Sequence, residues 1–159
     1  MFVIYNFFLS LIIFISPLII LIRIFLGKED QNRFKEKYGF LAKNNNSNEV
    51  VWIHGASVGE ILSIIPIIKK FEKDKKIKRI LITSSTTSSS QILSKFRFKK
   101  TIHQFYPFDL SFLTKHFINH WKPKLAIFVD SEIWPNMFNN LHKQNLSLIH
   151  ISEPTRHES

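Results

Sequence analysis

The first 22 residues carry no charged side chain and are dominated by Phe, Ile and Leu. With Ile24 to Leu26 the apolar run reaches the roughly 20 residues that a membrane helix needs. Residues 1–26 therefore read as a membrane anchor helix, with Pro17 expected to kink it and Arg23 placed to snorkel toward headgroups. No basic segment precedes the run and no small-x-small site follows it, which disfavours a cleaved signal peptide. A spanning helix and one lying in the interface are both compatible with this pattern, as is a helix buried in a groove of the protein itself. Lys28, Arg33, Lys35 and Lys37 follow, and the positive-inside rule then predicts that the rest of the chain lies on the cytoplasmic side. Residues 27–48 are polar and end in Asn44-Asn-Asn-Ser-Asn48, a loop by composition.

From Glu49 the pattern switches to short apolar runs alternating with amphipathic ones. Strands are predicted at Val50 to Ile53, Arg79 to Thr83, His103 to Tyr106, Lys124 to Val129 and Leu146 to Ile151. Helices are predicted from Glu60 to Lys73, with Pro66 kinking or shortening it, from Gln91 to Phe98, and from Leu110 to Trp121. Ser84 to Ser90 reads as a Ser/Thr loop, and Pro135 stands early in a further helix, where no amide donor is needed. This order indicates an α/β domain: a Rossmann-like parallel sheet covered on both faces, preceded by the apolar helix.

At 159 residues the chain has room for one ordinary domain. The absence of cysteine excludes disulfides and cysteine-based zinc sites. A formal net charge of +10 points to acidic partners such as phospholipid, phosphorylated glycolipid or nucleic acid. Part of it reflects composition, because Lys greatly outnumbers Arg, as in an AT-rich coding sequence. Lys69 to Arg79 holds seven basic and two acidic side chains. That segment is either a solvated helix end or, with Arg33, Lys35 and Lys37, a basic surface for anionic lipid and substrate phosphates, led by Lys69 and Lys70. No nucleic-acid motif is present, and the apolar N-terminus favours a membrane. The histidines form no metal pattern: His116 and His120 are four apart without an adjacent Glu, so no metal is expected.

The chemistry concentrates after the first predicted strand, in Trp52-Ile-His-Gly-Ala-Ser-Val-Gly-Glu60. Loops at the carboxyl ends of parallel strands are where α/β proteins bind ligands. Glu60, at a helix start, is favoured there by the dipole and is placed where a general base is useful. Its ordinary role at such a position is capping. Gly55 and Gly59 can let a substrate approach the backbone, and Ser57 can contact it; their alternative is a tight turn. His54 can approach the cleft without being catalytic. Glu132 follows the strongest predicted strand as Glu60 follows the first, so two carboxylates can face one cleft. Trp134, Pro135 and Asn136 read as packing, helix start and cap. The Ser/Thr loop offers Ser84 and Thr86 as candidate contacts to an anion or sugar.

These segments together resemble the Kdo transferase family, membrane-associated enzymes that add 3-deoxy-D-manno-octulosonic acid to a lipid A precursor. The resemblance rests on RFKEKYGF (Arg33 to Phe40), WIHGASVGE (Trp52 to Glu60), PFDL (Pro107 to Leu110) and FVDSEIWPN (Phe128 to Asn136), in order, and runs to about Leu146. It implies the N-terminal half of a GT-B glycosyltransferase, with residues 49–146 forming an incomplete acceptor domain. It further implies CMP-Kdo as donor, held mostly by a second domain beyond the matched region, and no cofactor besides the donor. By the same resemblance Glu60 is the catalytic base and Glu132 a supporting carboxylate, while Asp130 departs from the Glu that many relatives carry. Residues 147–159 depart from the family pattern and read as foreign sequence. The fragment is then expected to be inactive alone. A GT-B enzyme with another sugar donor, or a non-catalytic glycolipid-binding module, are the rival readings.

Overall fold

The computed structural model describes residues 2–43, 50–129 and 134–151. The elements are α1 (Phe2–Phe25), a 3-10 helix (Phe34–Tyr38), β1 (Val50–His54), α2 (Val58–Lys73), β2 (Arg79–Ser84), α3 (Thr87–Ser94), β3 (Thr101–Phe105), α4 (Ser111–Trp121), β4 (Pro123–Val129), α5 (Pro135–Lys143) and β5 (Ser147–Ile151). The strands form one parallel sheet in the order β3-β2-β1-β4-β5. This is the Rossmann-like α/β fold expected from the sequence.

Strand alternation explains why both faces are apolar. Val50, Trp52, Leu81, Ala126 and Phe128 point to one side, where Phe117, Ile118 and Trp121 of α4 and Met137 and Leu141 of α5 cover them. Val51, Ile53, Ile80, Ile82 and Ile127 point to the other, against Ile61, Ile64, Ile65 and Ile68 of α2 and Leu93 of α3. The chain winds outward from β1 to β3 and then returns to place β4 on the other side of β1. The topological switch point therefore lies between β1 and β4, where ligands bind in folds of this kind.

Several expectations are corrected. Helix α2 runs unbroken from Val58 through Pro66 to Lys73. Both Pro66 and Leu62, whose carbonyl loses its amide partner, are exposed, so water can satisfy that carbonyl. Helix α1 is likewise continuous through Pro17. The carbonyl of Ile13 that Pro17 cannot serve accepts instead from Ser16 Oγ at 2.7 Å. Helix α3 starts at Thr87 rather than Gln91, because the Thr86 hydroxyl caps it by accepting from Ser89 N (3.3 Å). Phe96 and Phe98 then lie outside the helix, stacked at 5.6 Å. Strand β3 begins two residues earlier than predicted, at Thr101.

Within the polar stretch after α1, Phe34 to Tyr38 form the 3-10 helix, and the loop expected at Asn44 to Asn48 lies outside the described residues. The 3-10 helix packs along β3, with Phe105 N donating to Glu36 Oε2 at 2.7 Å, so one edge of the sheet is covered. The other edge, β5, pairs with β4 from Ser147 to Ile151, so the strand predicted there is present and the sheet continues past Leu146. All five of its residues are exposed.

Candidate active site

The loop from β1 to α2 folds as a local cap. Ser57 is the N-cap of α2 and accepts from Glu60 N at 3.3 Å. Ser57 Oγ in turn donates to Glu60 Oε1 at 2.6 Å, and Ala56 N donates to Oε2 at 2.7 Å. This is a variant of the Ser-x-x-Glu capping box, signalled by Ser57 and Glu60. Both carboxylate oxygens are held, yet each has further acceptor capacity. The loop thus orients Glu60 without exhausting it. Gly55 keeps this packing close: a Cβ there would stand 3.3 Å from Glu60 Cβ and 3.4 Å from Ile61 Cδ1, pressing on both by a few tenths of an ångström. Gly59 is different, since a Cβ would meet only Ser57 Oγ, at 4.0 Å. Gly55, Ser57, Gly59 and Glu60 are thus gathered at the carboxyl end of β1.

The end of β2 lies beside this loop, with Gly55 N donating to Thr83 O and Ser85 N to Ala56 O. Thr86 caps α3 there, half-buried. Ser84 does not face a cleft: it is fully buried, and its hydroxyl is engaged by His103 Nε2 at 2.8 Å. His54 is buried too, against Tyr106 (4.2 Å between centroids) and Phe128, with Nδ1 2.9 Å from Thr83 Oγ1. Asp130 and Glu132 lie outside the described residues. Strand β4, which precedes them, is the neighbour of β1 across the switch point.

Lys69 and Lys70 are not brought to this site. They lie nine and ten residues beyond Glu60 on α2, about 14 Å along its axis, toward the amino ends of the strands. Lys69 Nζ rests over the Phe96 ring at 5.6 Å. Lys75, Lys76, Lys78 and Lys124 line a cleft of about 580 Å³ at those same amino ends. Arg33 and Lys37 do not extend a lipid-facing surface either. Lys37 Nζ is 2.8 Å from the buried Glu29 carboxylate, and Arg33 Nε is 2.7 Å from Glu36 Oε1.

Arg33 organises a polar cluster that gave no signal in the sequence beyond its place in RFKEKYGF. Its guanidinium donates to both Glu36 oxygens, to Ser90 Oγ, to His103 O and to His103 Nδ1 (2.9 Å). A guanidinium cannot accept, so His103 carries its proton on Nε2 and donates it to Ser84 Oγ. Burial, reinforced by the Arg33 charge, pushes the His103 pKa down to about 3. A depressed histidine contributes stability that is complete above the unfolded value of about 6.5 and lost as pH falls toward 3. Urea midpoints measured from pH 7 to 4 should fall more steeply in the native chain than in His103→Gln, by up to about 1.4 kcal/mol per pH unit. Parallel pH profiles would exclude this role.

A second junction involves Asp109, which PFDL brings over the start of α5. Trp134, the N-cap of α5, makes no side-chain cap. Asp109 replaces it from a distance, its Oδ2 accepting from Asn136 N (2.9 Å) and its Oδ1 from Met137 N (2.8 Å). Tyr5 Oη of α1 donates to the same Oδ2 at 2.8 Å. Desolvation raises the Asp109 pKa, against the lowering effect of these bonds. Pro135 therefore starts the helix, as predicted, whereas Asn136 lies inside its first turn and is not the cap; the capping carboxylate comes from another loop. Among the described residues, no three of His, Cys, Asp and Glu gather as a metal site would need.

Comparison with known proteins bears on the same residues. Residues 32–153 match the family described as 3-Deoxy-D-manno-octulosonic-acid transferase (kdotransferase), a span that holds all four motifs and passes Leu146. The chain is 40% identical over 146 residues to the 3-deoxy-D-manno-octulosonic acid transferase of Rickettsia bellii, covering 91% of this chain and 35% of the relative. The Haemophilus influenzae enzyme of the same name is 29% identical over 147 residues, covering 90% of the chain and 34% of that protein. A probable mitochondrial 3-deoxy-D-manno-octulosonic acid transferase of Arabidopsis thaliana is 31% identical, with 84% of the chain and 31% of the relative covered. The chain spans about a third of the length of these curated relatives.

Proposed function

Because the chain belongs to the 3-deoxy-D-manno-octulosonic-acid transferase family, we propose that it supplies the acceptor half of an enzyme transferring Kdo from CMP-Kdo to a lipid A precursor. The observation that supports this best is Glu60. It stands at the carboxyl end of β1, at the switch point, with both oxygens oriented by Ala56 N and Ser57 Oγ.

In the proposed reaction an acceptor hydroxyl oxygen attacks the anomeric carbon of the donor. The new carbon–oxygen bond forms as the bond from that carbon to the phosphate oxygen breaks. CMP leaves with the bonding electrons, and Glu60 takes the hydroxyl proton. This closes the proton balance without calling on a metal ion or a further cofactor. Glu132 is proposed as a supporting carboxylate from the loop after β4, and Gly55, Ser57, Gly59 and Thr86 as the acceptor's immediate surroundings. Most donor contacts would come from the part of the enzyme that lies outside this chain. Helix α1, long and apolar enough to cross a membrane by length and composition, would hold the domain on the inner membrane with its globular part in the cytoplasm.

The test is a fusion of this chain to the second domain of the Rickettsia bellii relative, assayed by mass shift of the lipid A precursor. Transfer from CMP-Kdo but not from other sugar nucleotides is expected, with none from the 159-residue chain alone. Transfer of a different sugar would replace the donor assignment. A folded fusion that binds glycolipid and transfers nothing would instead indicate a binding module.

Gly59 gives a sharper check on the acceptor site. It is exposed in the first turn of α2, where a glycine costs helix stability and no packing requires it. Gly59→Ala should leave the fold as stable or raise it by about 0.5–1 kcal/mol, while weakening glycolipid binding. Unchanged binding would remove Gly59 from the site.

A further inference from the structure

Resting on the membrane attachment proposed above, we infer that α1 lies flat against the bilayer surface, strapped to the carboxyl edge of the domain, rather than crossing the membrane. Half-buried or buried positions follow one stripe of the helix: Tyr5, Leu9, Ile13, Ser16, Ile20 and Ile24. Polar ties recur along that stripe. Tyr5 Oη reaches Asp109, and Asn6 Oδ1 accepts from Asn136 Nδ2 at 2.7 Å. Ser16 Oγ and Tyr38 Oη of the 3-10 helix are 2.6 Å apart, and Arg23 Nε is 3.2 Å from Glu29. Together these ties cover 18 residues, about 27 Å of helix. A helix crossing the membrane would have to draw Asp109, Asn136 and Glu29 into the hydrocarbon or break every tie.

The outward face identifies lipid as its partner. Ser10 donates to Asn6 O at 2.7 Å and Ser16 to Ile13 O, so the helix turns its hydroxyls on its own carbonyls, including the one that Pro17 leaves free. What remains outside is hydrocarbon and aromatic ring: Phe7, Phe8, Phe14, Leu18, Ile22 and Phe25, all exposed. Such a face suits acyl chains. An interface to a second protein domain carries about one hydrogen bond per 100–200 Å², and this face offers none of its side-chain polar groups for them. Arg23 and Lys28 at one end can meet headgroup phosphates. The bilayer would then lie at the carboxyl ends of the strands, where Glu60 stands, with the lysine-lined cleft at their amino ends.

Val3, Phe14 and Phe25 provide the test. They are 82%, 84% and 83% exposed, and their eleven-residue spacing puts all three on one side of the helix, the outer two about 33 Å apart. The chain has no cysteine, so Val3→Cys, Phe14→Cys and Phe25→Cys can each carry a single spin label. The probe is vesicles of phosphatidylethanolamine and phosphatidylglycerol, with depth read from relaxation by oxygen and by a water-soluble nickel complex. A flat helix gives three similar depths, about 5–10 Å below the headgroups. A deep Phe14 label between two shallow ones would overturn the flat arrangement while leaving membrane attachment intact. Failure of the labelled chains to sediment with vesicles, or labels that report water, would overturn attachment itself.

Discussion

Replacing Glu60 by Gln in the fused enzyme lowers Kdo transfer by about 10²–10⁴-fold, the usual contribution of a positioned general base. The fold should hardly notice. A glutamine oxygen can still accept from Ala56 N, and its amide can face Ser57 Oγ, so the cap persists with weaker bonds. Loss of the charge at the start of α2 costs about 0.3–1 kcal/mol. Glu60→Ala is the contrasting variant, losing the same charge and also the acceptors, so that the broken cap costs about 1 kcal/mol more than in Glu60→Gln. The two variants should therefore differ in thermal midpoint while being similarly inactive. Transfer by Glu60→Gln within about tenfold of the parent fusion would leave Glu60 a capping residue only.

The second large effect is on stability. Arg33→Ala should lower it by about 2–4 kcal/mol and the thermal midpoint by about 10 °C. Arg33 ties together the 3-10 helix, α3 and β3, and its loss leaves Glu36 and the half-buried His103 without their shared partner. Because the Arg33 side chain is 30% exposed, the effect falls below that of a fully buried pair. Arg33→Lys should recover little, since an ammonium on a flexible stem cannot match a fork that reaches four groups at once. A midpoint for Arg33→Ala within about 2 °C of the native chain would show the cluster to be incidental.

The sequence made some of this legible and hid the rest for physical reasons. Strands β1, β2 and β4 stood out because both faces of a central parallel strand are buried, giving unbroken runs such as Val50 to Ile53. Capping was legible for Glu60 from its place at a helix start, but Ser57, read as a substrate contact, proves to be the N-cap that holds it. The start of α3 was missed because Ser and Thr serve loops and caps alike, and only the bond from Ser89 N to Thr86 separates the two. Lys69 and Lys70 are close to Glu60 in sequence, yet a helix of 1.5 Å rise carries them toward the amino ends of the strands. Asp109 capping α5 joins residues 27 apart, and no local pattern records that. The Arg33 cluster spans 70 residues, and its basic members looked like surface charge until their acidic partners came into place.

The outer side of β5, which no other strand pairs with among the described residues, also governs how the isolated chain can be handled. Leu148, Ile149 and Ile151 on this strand are 38%, 47% and 41% exposed. Such a strand is a template for another copy, so concentrated solutions should turn cloudy by strand-to-strand association without any unfolding. Detergent suited to α1 would not cure this, because the two sticky surfaces differ in kind. One seeks hydrocarbon, and the other seeks a backbone. A lysine in place of Ile149 is the simplest gatekeeper, and it would let storage and crystallisation trials begin from monodisperse material.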